Sequence, residues 1–179
     1  MLIKKTSLKD CVMLYPKKYF DSRGCFFETY HQEKMRGVGI ALSFVQDNVS
    51  FSNKNVLRGL HFQIKKPQGK LVSVLEGCVF DVVVDLRPDS ETFGQHEGFY
   101  LDSEGGGQLY IPPGFAHGFC TISDHVVFHY KCSELYDPLD ESGIKWNDPQ
   151  LNIAWPVKNP IVSDKDNNLC SFKDILDIL

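Results

Sequence analysis

The chain has 179 residues, of which 42% are hydrophobic and 23% are charged, and its formal net charge at pH 7 is −4. This length and apolar content suit one folded domain with a sizeable core and exclude a disordered chain. The small acidic net charge, without a long run of one sign, argues against a protein that binds nucleic acid through a broad basic surface.

Compartment and membrane signals are absent from the sequence pattern. The first residues, MLIKKTSLKDCVMLYP, lack the apolar stretch of a signal peptide, so we expect none. No apolar run approaches the ~20 residues of a membrane span, so we expect no membrane partner. The six cysteines form no C-x-x-C pair. We therefore expect reduced thiols and a cytoplasmic protein.

Strand signals dominate, and short turn-rich segments separate them. The sequence predicts a short turn of helix within 31–39 and a C-terminal helix within 171–179, with Ser171 as N-cap. Many short strands in one chain predict an all-β sandwich or barrel, and a jelly roll is a leading option. We expect a single domain, 1–179. The predicted strands are, in chain order, 25–31, 71–77, 78–87, 97–102, 108–111, 117–122 and 125–132.

The strand 78–87 predicts two different faces, because alternate side chains point to opposite sides of a sheet. One face carries Cys78, Phe80, Val82, Val84 and Leu86 and indicates plain core. The other face mixes valines with two carboxylates, at positions 81 and 85, and indicates a lined cavity. Jelly-roll barrels often hold a small molecule in the barrel mouth.

Two of the six histidines occur in matching contexts, each after a glycine-containing turn and near an aromatic residue. His61 lies in RGLHFQ, and His117 lies in PPGFAHGF. A lone histidine in an apolar run is more often a packed core residue than a functional one. Two in matching contexts make packed and functional roles equally plausible, before any family resemblance is considered.

The stretch IPPGFAHGF is similar to the second motif of the cupin superfamily, P-x-G-x-x-H. The first cupin motif usually supplies two histidines and a glutamate to a metal, but here His61 is followed by Gln63 and no glutamate comes within the next twelve residues. A stable Zn or Fe(II) site needs three or four ligands, so we expect a metal-free barrel. Without a metal, a buried neutral histidine suits the role of general base.

The chain as a whole resembles the dTDP-4-dehydrorhamnose 3,5-epimerase family over about residues 12–166. The resemblance rests on many ordered motifs, among them FDSRGCFFETY, FVQDNVSFSNKNVLRGLHFQ, PQGKLVSVLEGCVFDVVVDLR, LYIPPGFAHGFCTIS, YKCSELYDP, ESGIKWNDP and IVSDKD. It implies a cupin-type double-stranded β-helix with few short helices. It also implies epimerisation at C3 and C5 of a dTDP-4-keto-6-deoxyhexose in dTDP-rhamnose biosynthesis, without a cofactor or metal.

The resemblance implies a role for individual residues. His61 would be the general base, Asp166 its partner, Tyr130 the acid on the opposite sugar face, and Lys70 the cation near the C4 oxygen. Asp81 would orient His117.

Tyr136 would stack on thymine, and an N-terminal strand-exchange segment carrying Arg23 would reach the partner subunit's site in a homodimer. The substrate-binding residues would be Arg23, Glu28, Gln46, Asp47, Asn48, Arg58, Gln63, His117, Tyr136, Glu141 and Lys165.

Two alternatives remain open from the sequence. The first is an enzyme that epimerises C3 only or acts on another nucleotide-linked 4-keto sugar, because it would use the same base and barrel. The second is a cupin that binds a sugar nucleotide without turning it over. The second would be favoured by loss of His61, Tyr130 or Asp166, and all three are present.

Overall fold

Two facing sheets form most of the protein, as described by a computed structural model that covers all residues, 1–179. Three short helices accompany them: α1 (Gln32–Gly37), α2 (Asp164–Asn167) and α3 (Phe172–Leu176). The strands are β1 (Leu2–Lys5), β2 (Val12–Tyr15), β3 (Lys18–Asp21), β4 (Gly24–Phe27), β5 (Gln46–Asn53), β6 (Val56–Gln63), β7 (Lys70–Glu76), β8 (Cys78–Asp85), β9 (His96–Asp102), β10 (Gln108–Ile111), β11 (Phe115–Thr121), β12 (His125–Cys132), β13 (Glu141–Gly143) and β14 (Ile161–Val162).

The first sheet has the strand order β1-β2-β10-β7-β12-β5, and the second has the order β13-β6-β11-β8-β9, with β14 beside β6. All pairings are antiparallel except that of β14, which runs parallel to β6. Strands β3 and β4 form a separate hairpin. The predicted all-β class with few short helices is confirmed.

The main core lies between the sheets and contains apolar side chains from both, such as Val72, Phe128, Val83 and Phe119. Burial of such side chains is the main favourable contribution to folding. A second cluster packs Val82 and its neighbours on β8 against the C-terminal segment, and a third lies under α1. Several buried polar side chains, among them Lys70, Asp81 and His117, lie between the same two sheets.

Most predicted strands coincide with observed ones within two residues, and the 77–78 junction is a turn at Gly77 with φ 82°. The prediction for 25–31 was too long, since β4 ends at Phe27 and the chain then turns towards α1. Ser171 caps α3 as predicted, in a capping box with Asp174. No helix is both long and apolar enough to cross a bilayer.

One prediction about β8 was wrong. Asp81 meets His117 in the barrel interior, but Asp85 lines no ligand cavity. Its carboxylate accepts hydrogen bonds from Arg87, Ser90 and Thr92 at the end of the strand. Alternation places both carboxylates on one face, but it does not show which of them lies where the next loop folds back and supplies partners.

Candidate active site

His61 and His117 are directly opposite each other on neighbouring strands β6 and β11. Directly opposed residues of an antiparallel pair point to the same face, so both imidazoles face the space between the sheets. Each ring is paired with a carboxylate. His61 Nε2 lies 2.8 Å from Asp166 Oδ1, and His117 Nε2 lies 2.8 Å from Asp81 Oδ2.

The position of Asp166 is set by several local contacts. It lies in α2, whose N-cap Ser163 accepts a hydrogen bond from the Asp166 N–H at 3.1 Å. Its Oδ2 accepts the N–H of Gly59 at 3.0 Å. Burial would raise the pKa of Asp166, but the hydrogen bonds from His61 and Gly59 outweigh it and hold that pKa below its ordinary value. Asp166 is thus a fixed carboxylate that accepts a hydrogen bond from the Nε2–H of His61 and leaves Nδ1 to face a reactant.

The second pair, His117 and Asp81, is almost fully buried. Burial raises the pKa of Asp81, against the opposing effects of His117 and Lys70. Asp81 Oδ1 has no hydrogen-bond partner, so the carboxylate has only His117 as a direct partner. The Phe128 ring lies nearly parallel to the His117 ring, with the two centroids 6.1 Å apart. This pair suits a fixed contact rather than a mobile base.

Lys70 and Tyr130 enter the same space from the other sheet, on β7 and β12. Burial lowers the pKa of the Lys70 ammonium, and none of the nearby acidic groups, Asp81 and Glu141 among them, reverses that effect. Burial also raises the pKa of the Tyr130 phenol. A cation with little solvent around it stabilises a developing oxyanion strongly, and a protonated phenol can act as an acid.

Two adjoining cavities, of 280 and 340 Å³, contain these groups. They share five lining residues: His61, Lys70, Tyr130, Tyr136 and Glu141. A larger groove of 560 Å³ lies elsewhere, around Leu8 and Ile40, and holds no paired histidine. Convergent titratable groups, rather than size, identify the candidate active site.

Tyr136 and Lys165 are joined at the cavity rim by Glu141. The Tyr136 hydroxyl donates to Glu141 Oε2 at 2.8 Å, and Lys165 Nζ donates to the same oxygen. The hydrogen bond to Glu141 raises the pKa of Tyr136 and of Lys165. Gln46 Oε1 accepts the Tyr136 N–H at 2.8 Å. The rim therefore presents one aromatic ring held at several points.

The structure brings most of the predicted site residues together. Asn48, Arg58 and Gln63 line the same cavities. Asp47 does not, because it lies on the other face of β5 and binds Lys131 Nζ with both oxygens at 2.7 Å. Arg23 and Glu28 also lie elsewhere in the single chain, where they pair with Asp21 and Lys34 respectively.

Ser163 and Ser50 are among the residues of this region that sequence reasoning missed. Ser163 orients Asp166, and the spacing Ser163 to Asp166 is that of an N-cap and the third helical residue, a signal that could have found it. Ser50 lines the 340 Å³ cavity with a buried hydroxyl that has no partner. Alternation along β5 could have predicted it, because Gln46, Asn48 and Ser50 share one face of that strand.

No cluster of three or more histidine, cysteine or carboxylate residues has the arrangement of a metal site. All six cysteines are free. The arrangement can nevertheless remove, hold and return a proton, since a carboxylate-paired imidazole, an ammonium and a phenol share one cavity.

The fold and this site define a cupin-type barrel protein whose barrel mouth carries acid–base groups. A profile of the dTDP-4-dehydrorhamnose 3,5-epimerase family matches residues 5–174. The chain therefore belongs to this family.

Individual relatives agree with that assignment. A dTDP-4-dehydrorhamnose 3,5-epimerase from Methanothermobacter thermautotrophicus is 49% identical over 167 residues, which is 92% of this chain and 90% of the relative. The crystal structure of such an enzyme from Bacillus anthracis, with TDP and PPi bound, has a TM-score of 0.93 and 45% identity, covering 95% of this chain and 98% of that one. The Legionella pneumophila enzyme, solved with dTDP-4-keto-L-rhamnose, has a TM-score of 0.91 and 46% identity, covering 94% and 90%.

Proposed function

We propose that the chain epimerises C3 and C5 of dTDP-4-dehydro-6-deoxy-D-glucose to give dTDP-4-dehydro-L-rhamnose. The observation that carries the proposal is that a carboxylate-paired base, His61, and a phenol, Tyr130, line one cavity from different sheets. A sugar ring between the sheets would meet the base on one face and the acid on the other. Family membership supports the same reaction.

The first step is proton removal. The hydrogens at C3 and C5 flank the C4 ketone, so breaking either C–H bond delivers its electron pair through the enolate to the C4 oxygen. One base reaches both carbons when both hydrogens lie on one ring face. His61 takes the proton at Nδ1, and Asp166 stabilises the resulting imidazolium, as in other histidine–carboxylate pairs.

The second step is charge stabilisation and return of a proton. Lys70 supplies a fixed positive charge for the C4 oxyanion without moving. Tyr130 then donates its phenolic proton to the enolate carbon from the opposite face, which inverts the configuration and leaves a phenolate. The proton on His61 and the missing proton on Tyr130 are exchanged with water, so the reaction balances without a redox partner or cofactor.

We assign binding of the substrate's nucleotide to the polar residues at the rim of the two cavities. Arg58 has a guanidinium fork suited to the diphosphate, and Tyr136 offers a ring for the base. Asn48, His117, Glu141 and Lys165 supply further hydrogen-bonding groups in the same cavities. The Legionella pneumophila relative binds the corresponding 4-keto-rhamnose nucleotide, which supports this class of ligand.

We also propose that the working form is a homodimer in which Arg23 and Glu28 complete the partner's site. The β3–β4 hairpin exposes Phe20 to 76% and Phe26 to 72%, and Phe51 on the edge strand β5 is 75% exposed. Exposed apolar groups of this kind on a hairpin and a sheet edge favour burial against another chain. Free cysteines suit a reducing compartment, and we assign the reaction to the cytoplasm.

The experiment is product identification by NMR after incubation with dTDP-4-dehydro-6-deoxy-D-glucose, and with the UDP- and GDP-linked analogues in parallel. The proposal requires inversion at both C3 and C5 with the dTDP substrate. Inversion at C3 alone would identify a 3-epimerase, and preference for another nucleotide would identify another substrate. Calorimetric binding without any turnover would identify a non-catalytic sugar-nucleotide-binding protein.

A further inference from the structure

Gln63 occupies the place where metal-binding cupins carry a second histidine, and its side chain is fully engaged with backbone. Its Nε2 donates to the carbonyl of Lys66 at 2.9 Å and to that of Leu135 at 3.3 Å. Its Oε1 accepts the N–H of Asp137 at 2.9 Å. The residue is only 3% exposed. Both amide hydrogens are therefore used within the protein, and neither remains for a substrate.

These three bonds join two loops. The first, residues 64–69, follows β6, and the second, residues 133–140, follows β12. Asp140 adds a parallel connection, since its two oxygens accept the N–H groups of Lys65 and Lys66, each at 2.8 Å. Buried side-chain bonds to backbone groups resist loop opening, because breaking one leaves a buried polar group unsatisfied.

Tyr136 is the residue that these bonds enclose. Gln63 holds the carbonyl of the residue before it and the N–H of the residue after it. The tyrosine is itself half exposed at the rim, with its hydroxyl tied to Glu141. An aromatic ring at an exposed rim binds a flat ligand well only when its backbone is fixed beforehand.

We infer that Gln63 is a positioning residue that fixes the second loop and so holds the Tyr136 ring in place for the nucleotide base. Gln63 thus controls nucleotide affinity through Tyr136, and it does not touch the sugar. The inference rests on the proposed function for the identity of the ligand. The family resemblance had implied that Gln63 contacts the substrate directly.

The experiment measures dTDP affinity by calorimetry, which needs no turnover and so remains informative if the proposed epimerisation fails. Gln63→Met keeps the side-chain length and removes the three hydrogen bonds. We expect dTDP affinity to fall roughly five- to tenfold, the effect of about one net hydrogen bond. In the epimerase assay KM should rise by a similar factor while kcat changes less than twofold. Gln150→Met makes the same change at an exposed position outside the site and should alter neither value.

A double-mutant cycle separates positioning from a general structural effect. In a Tyr136→Leu background, Gln63→Met should weaken dTDP binding by no more than twofold further, because the ring it positions is gone. Gln63→Leu, which also lacks the donors and the acceptor but has a different apolar shape, should weaken dTDP binding as much as Gln63→Met, and agreement between the two guards against an effect of misfolding in one of them. Unchanged dTDP affinity in both Gln63 variants would overturn the inference. So would an equal penalty with and without Tyr136, or a loss confined to kcat.

Discussion

His61 Nε2 lies 2.8 Å from Asp166 Oδ1, and the other oxygen of the same carboxylate accepts the N–H of Gly59 on the strand that carries His61. Asp166 therefore binds both the His61 imidazole and the backbone N–H of Gly59, which is two residues before His61. This arrangement fixes the ring and its tautomer together. Nδ1 is left with a lone pair directed away from the carboxylate.

Replacing Asp166 by asparagine should lower kcat strongly while leaving the fold intact. The amide can donate to Nε2 and so favours the tautomer with hydrogen on Nδ1, which removes the lone pair that accepts the substrate proton. We expect a loss of roughly 10²- to 10⁴-fold, measured by steady-state kinetics. Asp164→Asn changes an exposed carboxylate in the same short helix and should stay within twofold of wild type. Equal activity in the Asp166 and Asp164 variants would exclude an orienting role.

The fall in reaction rate at high pH, the alkaline limb of the pH profile, should reflect deprotonation of Lys70. Its pKa is lowered by burial, whereas that of Tyr130 is raised by burial. The oxyanion needs the protonated ammonium, so the rate falls as pH rises through the lowered Lys70 pKa. The midpoint of the decline should therefore lie below pH 10.5, the ordinary value for lysine. The measurement is the rate of substrate C–H exchange against pH.

Lys70→Arg should move that limb upward, because a guanidinium keeps its charge at higher pH. The exposed loop lysine Lys66, replaced in the same way, should leave the limb where it is in the wild type. A limb that stays in place in Lys70→Arg would assign the titration to another group.

Mixed dimers should reveal whether Arg23 acts on the partner's site. Arg23→Ala and His61→Ala should each be nearly inactive as homodimers. A mixed dimer contains one site with an intact His61 from one chain and an intact Arg23 from the other, so it should regain about half of the wild-type activity per dimer. Co-expression with two different tags isolates the mixed species. If the mixed dimer is as inactive as its parents, Arg23 acts within its own chain.

The carboxylate of Asp85 should stabilise the fold in a pH-dependent way. Burial would raise its pKa, but the hydrogen bonds from Arg87, Ser90 and Thr92 lower it from 3.8 to about 2. A lowered folded-state pKa gives stabilisation that is complete above about pH 4 and is lost as pH falls towards 2. Asp85→Asn should therefore cost about 2 kcal/mol at pH 7 and much less near pH 2, by thermal unfolding.

Asp10→Asn serves as the matched control, since Asp10 binds the same arginine from a position that is mostly exposed. It should cost no more than about 1 kcal/mol at pH 7. A pH-independent penalty for Asp85→Asn would show that its carboxylate is not the stabilising species.

Sequence periodicity predicted seven of the fourteen strands and none of the pairings between them. Alternation around Cys78–Leu86 predicted a buried strand, because the two faces of β8 pack against the barrel core and the C-terminal segment. No strand was predicted at β1, β2, β3, β5, β6 or β13, nor at the short strand β14, whose two residues carry no periodic pattern. Strand β14 nevertheless matters for the site. It pairs in parallel with β6, and it comes directly before the helix α2, which carries Asp166.

In the candidate site too, local sequence identified individual residues but not the contacts between distant ones. His61 and His117 were found from their matching contexts, but the pairing of His61 with a carboxylate 105 positions away came only from family resemblance. Gln63 was noticed as the missing second histidine of a metal motif. Its hydrogen bonds to Lys66, Leu135 and Asp137 depend on how two loops pack together after folding. No local sequence pattern predicts that packing.

Solvent deuterium incorporation tests the central claim most directly. Wild-type protein incubated in D₂O with dTDP-4-dehydro-6-deoxy-D-glucose should give a product labelled at both C3 and C5, and His61→Ala should label neither carbon above background. Both outcomes follow if His61 removes the two protons. Absence of exchange with the wild type, or full exchange at both carbons in His61→Ala, would contradict the account.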